Sequence, residues 1–171
     1  LCIQGNVNAS GEIRIYDLEL ESSGFNSCVS IDLTDADVTI SSCRFLGPSG
    51  VGGAPQLYTG NGAEGKLSVW GCLFECRTSQ WGAILGQHSD VTFMGCSFDG
   101  GSGIDINGPL GNIAILNCVF DVGAGETGLS DAAVTAGSIV GNVFTGAGTL
   151  TNGVTAPNGW VARGNIGIAD F

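Results

Sequence analysis

Basic residues are scarce in this chain: one lysine and four arginines stand against sixteen acidic residues, for a net charge of −11. That balance argues against a nucleic-acid backbone or an anionic membrane surface as partner. Charged residues of both signs make up only 12% of the chain, and 43% is apolar, which argues against disorder. The apolar residues are nevertheless dispersed: no run approaches the roughly 20 residues that a membrane helix requires, so membrane insertion is not expected. No stretch has the form of a secretory leader, and the start at Leu1 reads as that of a processed product or an excised fragment. A zinc motif, a C-x-x-C pair, a nucleophile elbow, a phosphate-binding loop and a dinucleotide fingerprint are all missing. The single histidine, His88, falls in a turn-like Gln-His-Ser-Asp and is expected to be exposed.

What the chain has instead is repetition. The octet VTFMGCSF from Val91 to Phe98 returns as VTISSCRF from Val38 to Phe45, LSVWGCLF from Leu67 to Phe74 and IAILNCVF from Ile113 to Phe120. Looser copies run from Ile13 to Leu20, Gly137 to Phe144 and Trp160 to Gly167. Their sixth positions, Leu18, Cys43, Cys72, Cys96, Cys118, Asn142 and Asn165, lie 25, 29, 24, 22, 24 and 23 residues apart. A period in the twenties marks a solenoid, in which each repeat is one coil that buries its apolar face against its neighbours. The expectation is a single domain over 1–171, with 1–12 as a lead-in. Residues 160–171 form a closing coil, since the last octet carries Ala162, Asn165 and Gly167 where others carry larger apolar groups or cysteine.

Within each octet, positions one and three are apolar, and so in general are six and eight, so the alternation changes phase at position five. The residues there are Asp17, Ser42, Gly71, Gly95, Asn117, Gly141 and Gly164, mostly types that tolerate a left-handed backbone. Each octet therefore reads as a strand, a one-residue bend and a second short strand, both facing one core. A further apolar segment seven residues earlier, at Ile31, Ile84 and Ile106, supplies a third strand per coil. Cys43, Cys72, Cys96 and Cys118 form an inward column with one thiol per coil. The coil spacing of about 4.8 Å exceeds the Cβ separation of about 3.8 Å that a disulfide needs, so they read as small buried hydrophobes. Cys2, Cys28 and Cys76 fall outside the column, and their state is open.

At this point the chain resembles the right-handed parallel β-helix repeats of pectate-lyase-like proteins and bacteriophage tailspikes, over a span from about Ile13 to Gly167. The resemblance implies an all-β, single-stranded right-handed parallel β-helix of about seven coils. It implies no particular function, because the paired Asp-Asp and His-Gly motifs of polygalacturonases are absent, and Arg44 and Arg77 sit in no recognisable pectate-lyase motif.

Two sets of outward residues carry the functional expectations. Positions four and seven become apolar from the third coil on, at Trp70, Leu73, Met94, Leu116, Val119, Val140, Val143 and Ile166. A tall apolar stripe of this kind reads as an oligomer interface, and for a tailspike-like β-helix it implies three parallel helices on a threefold axis. The residue after position eight is acidic in three successive coils, Glu75, Asp99 and Asp121, which should stack roughly 5 Å apart. Stacked carboxylates raise one another's pKa or recruit a cation, and paired carboxylates serve glycoside hydrolysis, so these are the candidate catalytic residues. Calcium is the one conceivable cofactor, and no calcium-binding repeat supports it. Tyr58, expected in the long connection from Leu46 to Gly65, and Trp81 are the aromatic groups that would serve a saccharide site beside Asp99 and Asp121. The leading expectation is a trimeric, structural attachment protein of a phage tail fibre, tailspike or related virion appendage that presents loops to a surface glycan. The alternatives are an extracellular polysaccharide lyase or glycoside hydrolase and a bacterial β-helical surface adhesin.

Overall fold

The computed structural model describes residues 3–5, 11–22, 27–31, 36–47, 53–60, 65–108, 110–132 and 136–171. The chain winds into a parallel β-solenoid with three sheets. The first sheet holds the strands Ile3–Gly5, Val29–Ile31, Leu57–Thr59, Trp81–Leu85, Ser102–Ile106, Thr127–Asp131 and Thr149–Asn152. The second holds Gly11–Tyr16, Ala36–Ser41, Leu67–Trp70, His88–Met94, Leu110–Leu116, Gly137–Val140 and Trp160–Arg163. The third holds Glu19–Glu21, Arg44–Leu46, Leu73–Glu75, Ser97–Asp99, Val119–Val122 and Val143–Gly146. All the strand pairs are parallel, and equivalent octet positions are register partners: Val91 faces Leu67 and Ile113, and Phe98 faces Phe74 and Phe120.

The bend between the second and third sheets follows the sequence pattern at every repeat. Asp17, Ser42, Gly71, Gly95, Asn117, Gly141 and Gly164 all have positive φ, between 53° and 67°. One left-handed residue turns the chain and reverses the phase of the side chains. Positions three and eight therefore both enter the core.

The core is built of columns. Phe45, Phe74, Phe98, Phe120 and Phe144 stack face to face with centroid spacings of 4.6 to 4.8 Å and interplanar angles of 3° to 6°. This spacing is that of the strands themselves, so each ring rests on the ring before it. Opposite them, Gly82, Gly103 and Gly128 leave the room the rings occupy: a Cβ on Gly82 would lie 2.5 Å from Phe98 Cδ1, and one on Gly103 would lie 2.7 Å from Phe120 Cδ1. Ile40, Val69, Phe93, Ile115 and Ile139 form the position-three column, all fully buried.

The ends differ from the middle. Leu18 occupies position six but is 39% exposed, because no described coil precedes it. At the other end Trp160 is buried and donates its indole N–H to Asp131 Oδ2 at 2.8 Å. Ala162 and Phe171 exchange backbone hydrogen bonds of 3.0 and 3.1 Å, so the tail pairs with the last strand of the second sheet. Two local expectations change. Tyr58 lies on the strand Leu57–Thr59 and not in a projecting loop. Ile84 faces outward between Tyr58 and Asp105, while the next residue, Leu85, takes the inward place opposite Ile106.

Candidate functional site

The position-six column does more than fill space. Polar side chains there meet the preceding coil, where the phase change takes the position-six N–H out of the ladder while the position-three carbonyl stays engaged by strand pairing. The thiol of Cys96 donates to the carbonyl of Val69 in the preceding coil at 3.4 Å, whereas those of Cys43, Cys72 and Cys118 lie nearest the carbonyls of Ser41, Trp70 and Leu116 in their own coils, at 3.3, 3.4 and 3.4 Å. In return the sulfurs of Cys43, Cys72, Cys96 and Cys118 accept hydrogen bonds from the backbone of Leu18, Cys43, Cys72 and Cys96. Asn142 and Asn165 perform both tasks with stronger groups. Asn142 Nδ2 donates to Ile115 O at 2.8 Å and Asn165 Nδ2 to Ile139 O at 2.9 Å. Their Oδ1 atoms accept the backbone N–H groups of Cys118 and Asn142 at 2.8 and 2.9 Å. The reading of these cysteines as inert hydrophobes is thus incomplete: a thiol is a weak donor and a weak acceptor. The six cysteines in the described residues, Cys28 and Cys76 among them, are buried.

The acidic residues after position eight are brought into one column. Glu75, Asp99 and Asp121 are register partners on three successive strands of the third sheet, continued by Thr145. Glu75 is engaged by Arg44, whose Nε lies 2.8 Å from its Oε1, and the same guanidinium reaches Glu19 at 2.9 Å. Asp121 accepts a hydrogen bond from Thr145 Oγ1 at 3.4 Å. Among the described residues, no three His, Cys, Asp or Glu side chains are grouped so that they could hold a metal ion.

A cleft of about 420 Å3 runs beside this column and contains Glu21, Arg44, Glu75, Arg77 and Asp99, with Gly47 and Cys76 in its floor. Two of the three candidate acids therefore share a cavity with both arginines that the sequence offered. Asp121, Tyr58 and Trp81 lie outside it. Tyr58 is exposed on the outer face of the first sheet, and Trp81 is half-buried at the start of the next strand, beside Ser102. Burial, followed by the charges of Asp99 and Glu126, pushes the Cys76 thiol well above its ordinary value. A second groove, of about 570 Å3, crosses the outer face of the second sheet past Ser68, Thr92 and Ser138. Its polar rim is already occupied internally, since Lys66 pairs with Asp90 at 3.8 Å and Asn112 Nδ2 donates to Asp90 at 3.2 Å.

The eight expected interface residues all point away from the core. Trp70, Met94, Val119, Val140 and Ile166 are exposed, and Leu73, Leu116 and Val143 are half-buried. They line the two sides of the bend, with Trp70, Met94, Leu116 and Val140 in one register column. Leu73, Val119, Val143 and Ile166 form the other, interrupted at Ser97.

His88 was missed by sequence reasoning. It is 3% exposed, on the strand His88–Met94, and its Nδ1 contacts Gly65 O at 3.0 Å. Its Nε2 is buried without a hydrogen-bond partner among the described residues. Burial lowers its pKa.

Together the columns and the cleft define a parallel β-helix protein with a mixed-charge cavity along its third sheet. Comparison with known proteins finds no family model, no curated protein and no solved structure that matches the chain. Among the described residues no helix is long and apolar enough to cross a membrane.

Proposed function

We propose that the chain is a structural and adhesive segment of an extracellular attachment appendage, of the kind carried on phage tails. In this reading three copies pack side by side as parallel columns, and each presents its third-sheet cleft to a surface glycan. The observation that carries it is the apolar ridge along the bend, where Trp70, Met94, Val119, Val140 and Ile166 are exposed on a single copy. A ridge spanning several coils is more apolar surface than a monomer ordinarily leaves in water. Light scattering on the purified chain tests the reading: a trimer is expected, and Met94→Glu with Val119→Glu should release monomers without unfolding. A wild-type chain that stays monomeric at high concentration would sink it. A bacterial β-helical surface adhesin would share this design and differ in the cell that displays it.

A second reading is favoured by one observation, the shared cleft of Glu75, Asp99, Arg44 and Arg77. Carboxylates beside guanidinium groups are the equipment of a polysaccharide lyase or a glycoside hydrolase. Release of reducing ends or unsaturated products from a panel of polysaccharides, abolished by Asp99→Asn, would establish it in place of the purely adhesive role.

A further inference from the structure

Resting on the trimeric reading, we infer that each copy seats its apolar corner in the second-sheet groove of the next copy, closing a ring of heterologous contacts instead of bringing three corners together on the axis. The corner is the bend itself, with Trp70 to Val140 on one side and Leu73 to Ile166 on the other, and it is convex. Three such corners converging on an axis touch along their edges and leave their sides in water. A convex apolar surface is covered fully only by a concave one, and heterologous contacts of this kind close into rings.

The groove of about 570 Å3 is such a surface, and its shape matches the corner coil by coil. Its floor is a register column of short, half-buried side chains, Ser68, Thr92, Ala114 and Ser138. Its outer wall is the residue before each octet, which shortens along the helix from Lys66 through Asp90 and Asn112 to Ala136 and Gly159. The corner tapers in the same direction, from Trp70 through Met94 and Leu116 to Val140, where the exposed Arg163 ends it. The deep end of the groove therefore meets the tall end of the corner only when two copies run parallel and in register. An antiparallel copy would lay Trp70 against Gly159, where there is no wall. In register, Trp70 of one copy meets Ser68 and Lys66 of the next, an ammonium group beside the face of an indole.

Charge supplies an independent argument. Copies that each carry −11 repel one another. The third sheet presents Glu75, Asp99 and Asp121 in a column, and the first presents Asp105 on its outer face. Among the described residues the one carboxylate that lines the groove is Asp90, which is paired with the chain's sole lysine, Lys66, at 3.8 Å and takes a hydrogen bond from Asn112. The groove is thus the face that a like-charged copy approaches at least cost.

Cysteine cross-linking tests the arrangement. Met94→Cys and Thr92→Cys chains are unfolded together in urea, refolded as a mixture and oxidised with diamide; each is also treated alone, and the wild-type chain sets the background from its own thiols. Disulfide-linked dimers are expected in the mixture and not from either variant alone, because the Met94 site of one copy lies against the Thr92 site of the next while equivalent sites stay apart. Thr92→Arg, which fills the floor, should lower the mass seen by light scattering to that of one copy, whereas Ser130→Arg on the outer face of the first sheet should leave the trimer intact, with circular dichroism showing both folded. Cross-linking of Met94→Cys alone as strong as in the mixture, no cross-link above background in a trimeric sample, or a folded Thr92→Arg that stays trimeric overturns the inference and leaves the trimer standing. A wild-type chain that is monomeric overturns both.

Discussion

The side-chain oxygen of Asn142 accepts the backbone N–H of Cys118 at 2.8 Å, and its amide nitrogen returns a bond of 2.8 Å to Ile115 O in the same preceding coil. One side chain thereby satisfies the position-six N–H that the bend strips from the ladder and adds a bond to the position-three carbonyl, which strand pairing already engages. Asn142→Leu fills a similar volume and satisfies neither. The buried Cys118 N–H left unmatched costs about 1–3 kcal/mol, so the urea midpoint should fall by an equivalent amount. Cys96→Asn substitutes the stronger group for the weaker at an equivalent place, and should lose far less. Equal losses in the two variants would refute this account of the column.

The bend makes a second prediction. Gly95 and Asn117 sit at the same octet position with φ of 64° and 53°, and a Cβ on Gly95 meets nothing within 4 Å. Gly95→Asn should therefore be nearly neutral. Gly95→Val should cost about 1–3 kcal/mol, because a β-branched residue resists the left-handed region. Gly103→Ala should be worse than Gly95→Asn for a different reason: its Cβ would strike Phe120 and the Gly128 carbonyl. Thermal melts of the three variants rank these effects, and a harmless Gly103→Ala would mean that the ring stack is loosely held.

Acid should act through His88. The unfolded chain takes up a proton below about pH 6.5, while the buried imidazole stays neutral to a lower pH. Over that interval the unfolded state binds more protons, so stability falls as pH drops from neutrality, by about 1.4 kcal/mol per unit at most. Once pH passes below the folded value this contribution stops changing. His88→Gln, which keeps a donor for Gly65 O, should flatten the stability curve between pH 7 and 5 relative to wild type. Parallel curves would place the acid sensitivity elsewhere.

The thiols should act at the opposite end of the scale. Burial raises Cys43, and Cys96, which is hydrogen-bonded to Cys118 and buried, is pushed up to about 12, whereas the same bond lowers Cys118 and offsets part of the effect. A thiol with a raised pKa contributes stability that is full below the unfolded value, near 8.5, and is lost as pH climbs toward the folded value. Denaturant midpoints should therefore decline from pH 8.5 upward. Iodoacetamide at pH 8 should leave Cys43, Cys72, Cys96 and Cys118 unmodified in the folded chain and label them in urea, as intact-mass measurement would show. Rapid labelling of the native chain would contradict the buried column.

Much of this architecture was legible because it repeats. The octet spacing, the phase change at position five and the stacking of Glu75, Asp99 and Asp121 all follow from alignment of the chain with itself. What stayed hidden depends on which neighbour a side chain meets. Nothing local to His88 reveals that Gly65, 23 residues away, offers it a carbonyl. The sequence around Tyr58 reads as a loop because its strand is three residues long and set among glycines, too short for alternation to register. The bonding role of position six was within reach, however. Cysteine and asparagine share little except that each can donate and accept, and their succession in one column, Cys118 to Asn142 to Asn165, was the available sign.

The side chains of Cys96, Asn142 and Asn165 in that column bond to the coil nearer the N-terminus. On a ribosome that coil has already been made. Each newly emerged turn thus meets a finished template with an open backbone N–H waiting, and the column gives the solenoid a direction of growth that matches the direction of synthesis.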